Sequence, residues 1–249
     1  IKHILLYQVI YFFEIYYVIV KLMIPIRDRN PTHSWPIVTV LLIIGNIYVF
    51  VKHNMSMNQH QLATMFSTYG AVPKQILSPE NVDHLKVGIV SLFTSMFLHG
   101  GILHVGGNML YLWIFGDNVE DRLGHVRFFF FYIFCGLGAA MTHIILMGQS
   151  TIPMVGASGA ISGVLGAYLI AFPRARVLTI IPIFIFIKLA ELPAIVVLGF
   201  WFVIQFLNGY YSLQHMGAVN TAGVAWFSHV GGFLLGALGI LMLKKRVKK

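Results

Sequence analysis

Residues 154–168 read MVGASGAISGVLGAY. The stretch is small, apolar and studded with glycine, which suits a helix packed inside a membrane. It also carries two serines, and it opens on G-A-S-G around Ser158. A hydroxyl between glycines in such a helix is either packing material or a nucleophile, and the remainder of the chain discriminates between the two.

The surrounding composition sets the solvent. Of 249 residues, 58% are hydrophobic and 10% charged, and the mean hydropathy is strongly positive. A soluble core of this size does not have that balance; a multi-span membrane protein does. The formal charge of +9 then reads as a topology signal rather than a nucleic-acid footprint. The lipid bilayer is an expected partner and nucleic acid is not. The single cysteine, Cys135, lies in an apolar run. It offers no disulfide framework and no cysteine metal cluster, and it reads as packing.

Hydropathy and punctuation predict six core spans, at about 36–52, 99–116, 126–147, 156–172, 190–208 and 225–243. The long connection after the first span mixes Pro73, Pro79 and charges with Met65, Phe66 and Ile76, so a structured or interfacial loop is expected there. Residues 177–189 are apolar but carry Pro182 and Lys188, which places them at the interface. Residues 1–22 are also apolar. Glu14 lies within them and no small-residue cleavage site follows, so an accessory helix is expected rather than a signal peptide.

Charge orients the bundle. Arg27 and Arg29, Arg122 and Arg127, Arg174 and Arg176, and the lysines and arginine of 244–249 all fall on one side of a six-span chain. The opposite loops hold only Lys52, Lys74 and Lys86. The positive-inside rule puts the basic side, with both core termini, in the cytoplasm.

With that orientation four polar residues share one depth. Ser158 sits in the first turn of the fourth span, His229 about one turn into the sixth, and His104 and Asn108 one to two turns into the second. At ~1.5 Å per residue the layer lies roughly 5–15 Å below the outer surface. Polar groups there are costly unless they face a cavity or each other. Gly159, Gly163 and Ala167 repeat every four residues in the fourth span, and Gly232 and Gly236 do so in the sixth. Small-xxx-small faces let helices approach closely, which can bring Ser158 within reach of His229. A neutral imidazole could then take the serine proton. His104 and Asn108, spaced i, i+4, share a helix face and can present N–H donors to an oxyanion. The Ser158 backbone N–H, near a helix N-terminus, adds another.

Taken singly, each residue has a bland reading as packing or as a helix cross-link; the coincidence in one layer does not. Ser162, one turn deeper, keeps the packing reading. His99 reads as structural, holding the long first loop against the bundle. Asp28, Asp83, Asp117 and Asp121 are expected in loops, which leaves no intramembrane aspartate pair, and the chain has no H-E-x-x-H stretch for zinc. Glu14 and Glu191 are poorly placed to complete a Ser-His-Asp triad. A dyad without metal or cofactor is the economical reading.

These residues resemble the rhomboid intramembrane serine proteases. The resemblance covers about 23–243 and rests on MIPIRDRNP at 23–31, FLHGGILHVGGNMLYLWIFGDNVEDRLG at 97–124, GASG at 156–159 and SHVGGFLLG at 228–236. It implies an all-α, six-transmembrane-helix bundle over 23–249 with a water-filled cavity; residues 1–22, a possible extra hydrophobic helix, precede the usual family start. It implies Ser158 as nucleophile, His229 as general base, and His104, Asn108 and the Ser158 N–H as oxyanion donors. Gly156 would keep the loop before the nucleophile tight, the 53–98 loop would be the lateral membrane-inserted element, and Trp201, Phe202 and Gln205 on the fifth span would form a substrate gate. Transmembrane protein substrates would be cut near the outer end of their membrane helix. Some relatives place an aromatic one turn after the nucleophile, stacked on the histidine; here that position is Ser162.

The expectation is therefore a serine endopeptidase of a prokaryotic plasma membrane, its active site near the outer face. The alternative is a catalytically silent rhomboid-like protein that binds transmembrane helices for quality control. The presence of both dyad members argues against that alternative. A small transporter or channel would place ionisable residues at mid-membrane, and the core spans offer few apart from His143.

Overall fold

The computed structural model describes residues 23–78, 82–183, 186–214 and 223–243. The accessory segment 1–22 and the basic tail 244–249 lie outside the described residues. Helices dominate: α1 (Ile37–Ser56), α2 (Gln59–Tyr69), α3 (Pro73–Leu77), α4 (Val82–Thr94), α5 (Ile102–Leu123), α6 (His125–Leu146), α7 (Ser158–Ala171), α8 (Ala194–Gln214) and α9 (Trp226–Met242). By length and composition α1, α6 and α8 can each cross a membrane. Residues 88–97 with α5 form a fourth candidate, bent by 82°, and α7 and α9 are shorter apolar helices. The chain is a helical membrane bundle.

Helix α7 is its central post. Every residue from Gly159 to Tyr168 is buried, as expected of a helix that is apolar all round. Helices α5, α6 and α9 pack around it. The α7–α9 contact is built on glycine. A Cβ added at Gly232 would overlap the carbonyl oxygen of Gly159, and one at Gly236 that of Gly163. The backbones therefore touch, and the first turns of the two helices meet.

Helix α5 runs further than its apolar stretch predicts. Asp117 and Asp121, expected in a loop, lie on its last two turns, and Asp83 falls within α4. The polar turns persist because their side chains have work at the bundle end. Glu120, fully buried, accepts from Val38 N–H at 2.9 Å, Thr39 N–H at 2.8 Å and Thr39 Oγ1 at 2.7 Å. It thereby satisfies donors that the start of α1 leaves free.

The fold is not all-α. Residues 177–183 and 186–189, expected at the interface, and 190–193, expected to open the fifth span, belong to a hairpin, β2 (Arg176–Ile183) with β3 (Phe186–Pro193), and β1 (Ile24–Asp28) pairs antiparallel with β2. Val177 and Thr179 are buried on one face of β2, the period-2 signature of a strand. Pro182 interrupts the sequence pattern but lies beyond the reach of β1, which pairs only with residues 177–180, so no ladder bond toward β1 is lost there. Tyr168 on α7 and Asn118 on α5 both donate to Asp28 Oδ2, at 2.6 and 3.1 Å, tying β1 to the bundle. Burial raises the Asp28 carboxyl above its ordinary range, and the Tyr168 hydrogen bond opposes that rise.

The connection after α1 is structured, as its mixed composition indicates. Asn58 and Gln61 form a reciprocal capping box that starts α2. Ala71 and Met154 exchange two backbone hydrogen bonds, of 3.0 and 2.8 Å. This bridge holds the chain that leads into Ser158.

Candidate active site

Ser158 is the first residue of α7, after Gly156 and the cap Ala157. Gly156 has φ +127°, a conformation that side chains other than glycine's strain to adopt. Its N–H donates to the Ser95 carbonyl at 2.8 Å, which fixes the loop from below. A Cβ at Gly156 would stand 2.7 Å from His104 Nε2 and 3.6 Å from Asn108 Nδ2. Both α5 side chains thus lie against the loop that presents Ser158. The Ser158 N–H, in the first turn, precedes the intrahelical ladder and points the same way as the helix dipole's positive end.

His229 enters one turn into α9. Ser158 Oγ lies 2.8 Å from His229 Nε2. The second ring nitrogen, Nδ1, lies 2.8 Å from Gln205 Oε1 on α8. An amide oxygen can only accept, so Nδ1 carries the proton and donates to Gln205. The Nε2 lone pair is then free to accept the Ser158 hydroxyl.

Of the three residues assigned to a gate, Gln205 is buried and faces His229 rather than the surrounding bilayer. The Trp201 ring lies 6.0 Å from the imidazole at 34°. Phe202 packs on Phe233 of α9 at 4.7 Å. Trp226 meets His229 edge-on at 6.2 Å. The aromatic neighbours of the histidine therefore come from α8 and α9, where Ser162 on α7 supplies none. The Ser162 hydroxyl instead donates to the Ser158 carbonyl at 2.6 Å, a back-bond within α7 that agrees with its packing role. A cavity of about 170 Å³ runs between α5 and α8, lined by Tyr111, Trp201, Ile204, Gln205, Asn208 and Trp226 among others.

His99 was expected only to hold the long loop. It is buried, and Asn108 Nδ2 donates to its Nε2 at 2.9 Å. Its ring lies 5.0 Å from that of His104 in a T-shaped pair. Spacing along the sequence could not show this contact, because His99 lies in the break where the chain turns by 82° between residues 88–97 and α5. Glu191, weighed as a triad partner, is on β3 and pairs with Arg29 at 2.5 Å; Glu14 lies outside the described residues. Among the described residues, no group of three or more His, Cys, Asp or Glu is placed to hold a metal ion.

Comparison with known proteins returns one family. The Rhomboid domain model matches residues 87–246. Rhomboid protein 1, mitochondrial, of Saccharomyces cerevisiae is 31% identical over 64% of this chain and 43% of its own length. RHOMBOID-like protein 6, mitochondrial, of Arabidopsis thaliana is 32% identical over 87% of this chain and 72% of its own. Rhomboid protease GluP of Bacillus subtilis is 41% identical over 31% of this chain and 15% of its own. The chain thus spans less than half of the yeast relative.

These relatives overturn one expectation. The yeast relative and this Arabidopsis relative, matched over 64% and 87% of the chain, carry "mitochondrial" in their names, which speaks against a prokaryotic plasma membrane. The error has a physical source. Charge bias tells which helix ends share a side of a membrane, but it does not identify the membrane. The extent of the domain match, together with the Arabidopsis relative, places the chain in the rhomboid family.

Proposed function

We propose that this rhomboid protein is an intramembrane serine endopeptidase that works with a Ser158–His229 dyad. The observation that carries the reading is the 2.8 Å hydrogen bond between Ser158 Oγ and His229 Nε2, made between the first turns of two apolar helices. Ser158 Oγ attacks the scissile carbonyl carbon while its proton passes to His229 Nε2. The tetrahedral oxyanion is met by the Ser158 N–H and by His104 and Asn108, the donors beside Gly156. On collapse the C–N bond breaks, and the Nε2 proton goes to the leaving amine. Water then attacks the acyl-enzyme by the same route in reverse. These steps are complete without a metal or cofactor.

On this reading residues 23–249 form one domain with six spans. They are α1, α5 with its bent approach, α6, α7, α8 and α9, and 1–22 is accessory. The substrate is a membrane-anchored protein cut at the depth of Ser158, on the side opposite the basic loops. It enters past α8, where Trp201 and Phe202 line the way. The membrane is mitochondrial, in keeping with the names of the yeast and Arabidopsis relatives. Fractionation of cells expressing the tagged full chain tests that placement; recovery outside mitochondria sinks it.

The chemistry is tested by labelling purified protein in detergent with a fluorescent fluorophosphonate, alongside Ser158→Ala and His229→Ala. Labelling of the parent that vanishes in both variants is the expected result. A folded parent that stays dark overturns the protease reading in favour of a non-catalytic helix-binding rhomboid.

A further inference from the structure

We infer that Gln205 is a positioning residue for His229, resting on the reading of Ser158 and His229 as nucleophile and base. A histidine base has two nitrogens, and the one that does not face the nucleophile decides the tautomer. In a full triad a buried carboxylate takes that place and holds the ring. Here Glu191, Glu120 and Asp28 are committed elsewhere. Glu191 pairs with Arg29 on the sheet, Glu120 binds the start of α1, and Asp28 receives Tyr168 and Asn118. The place beside His229 Nδ1 is filled by the amide of Gln205, with Oε1 at 2.8 Å.

The position of Gln205 also calls for an explanation. It is buried in the middle of the apolar helix α8, and an amide at membrane depth is costly unless its groups are bonded. Trp201 lies one turn earlier on the same face of α8 and covers the imidazole from one side. Together the two residues hold the ring in plane and in tautomer. Nδ1 keeps its proton throughout, so Nε2 is bare when Ser158 needs a base and protonated when the amine needs an acid. Nothing is transferred to Gln205.

The acceptor stands on a peripheral helix. Val203, Phe206, Leu207 and Tyr210 of α8 are exposed on the far side, an apolar face turned toward lipid. The imidazole is therefore set only while α8 is seated against α9, so movement of that helix and competence of the base are linked through one hydrogen bond.

The test uses the full chain in detergent and measures the rate constant kinact and the binding constant KI for a fluorophosphonate. Gln205→Met keeps the shape and removes the acceptor. Gln205→Asn keeps the amide and withdraws it by one methylene. Gln205→Glu restores an acceptor at the original reach. The first two should lower kinact by roughly tenfold or more, less than the ~10⁴-fold loss that a wrong tautomer causes in a full triad, with KI within about twofold of the parent. Gln205→Glu should recover kinact to within a few-fold. Parent-like kinact in Gln205→Met, equal loss in all three variants, or a loss carried by KI would each overturn the inference. A parent that does not label at all would instead remove the Ser158–His229 reading beneath it, and the two failures are told apart by that one control.

Discussion

Gly236 stands so close to Gly163 that a Cβ on the first would overlap the carbonyl oxygen of the second. Backbone, unlike the end of a side chain, cannot swing aside. This contact sets the α7–α9 distance, and with it the distance between the two residues at the heads of those helices, Ser158 and His229.

Gly236→Ala should therefore destabilise the fold by about 1–3 kcal/mol, the usual cost of overpacking, and should slow fluorophosphonate labelling as the helices part. Gly199→Ala is the control, since a Cβ there meets nothing within 4 Å and should leave both readouts unchanged. Thermal unfolding followed by exposure of Cys135, buried on α6, would report the difference.

Gly156→Ala should act on chemistry more than on stability. The new methyl group must bear a φ of +127° and press on His104 Nε2 at 2.7 Å. Either the loop or His104 moves, and Ser158 moves with the loop. A shift of ~1 Å costs on the order of a hundredfold in rate, to be seen as lower kinact in protein that still elutes as folded.

Asn108→Ala should reduce turnover of a membrane-anchored substrate by roughly tens- to a thousandfold, the range for one lost oxyanion donor. His104→Ala should fall in the same range. Because Asn108 also donates to His99, His99→Ala should give a smaller loss, by freeing the Asn108 amide from its tether. Loss of activity in His99→Ala as deep as in Asn108→Ala would refute this ranking.

Glu120→Ala should unfold the protein at markedly lower temperature without altering kinact in the fraction that remains folded. It strands the N–H groups of Val38 and Thr39 and the Thr39 hydroxyl, and each buried unsatisfied group costs ~1–3 kcal/mol. Glu120→Gln, which retains one acceptor oxygen, should fall between the two.

Much of the bundle was readable because helical spans follow local rules. A run of apolar residues long enough to cross hydrocarbon declares itself, and α6 and α9 lie within a residue of their expected bounds, while residues 190–193, expected to open the fifth span, belong to β3 and α8 runs over 194–214. Where local rules ran out, so did the reading. The end of α5 is polar, and only Glu120's partners on α1 show why the helix continues. The sheet pairs residues 24–28 with 177–180, a contact across most of the chain that neither Pro25 nor Pro182 encourages one to expect.

The same division holds at the site. The rise per residue along a helix is constant, so the sequence by itself predicted a common layer for Ser158, His229, His104 and Asn108, and glycine spacing determined which helix faces can touch. Depth is one coordinate of three. Which side chain turns toward which depends on helix rotation and on neighbours far away in the chain. Only the tertiary structure decided that Gln205, 24 residues before His229 and on another helix, meets its second nitrogen, and that His99 reaches Asn108 around a bend. Hydrogen bonds are short and directional, so they are settled by packing that no single helix contains.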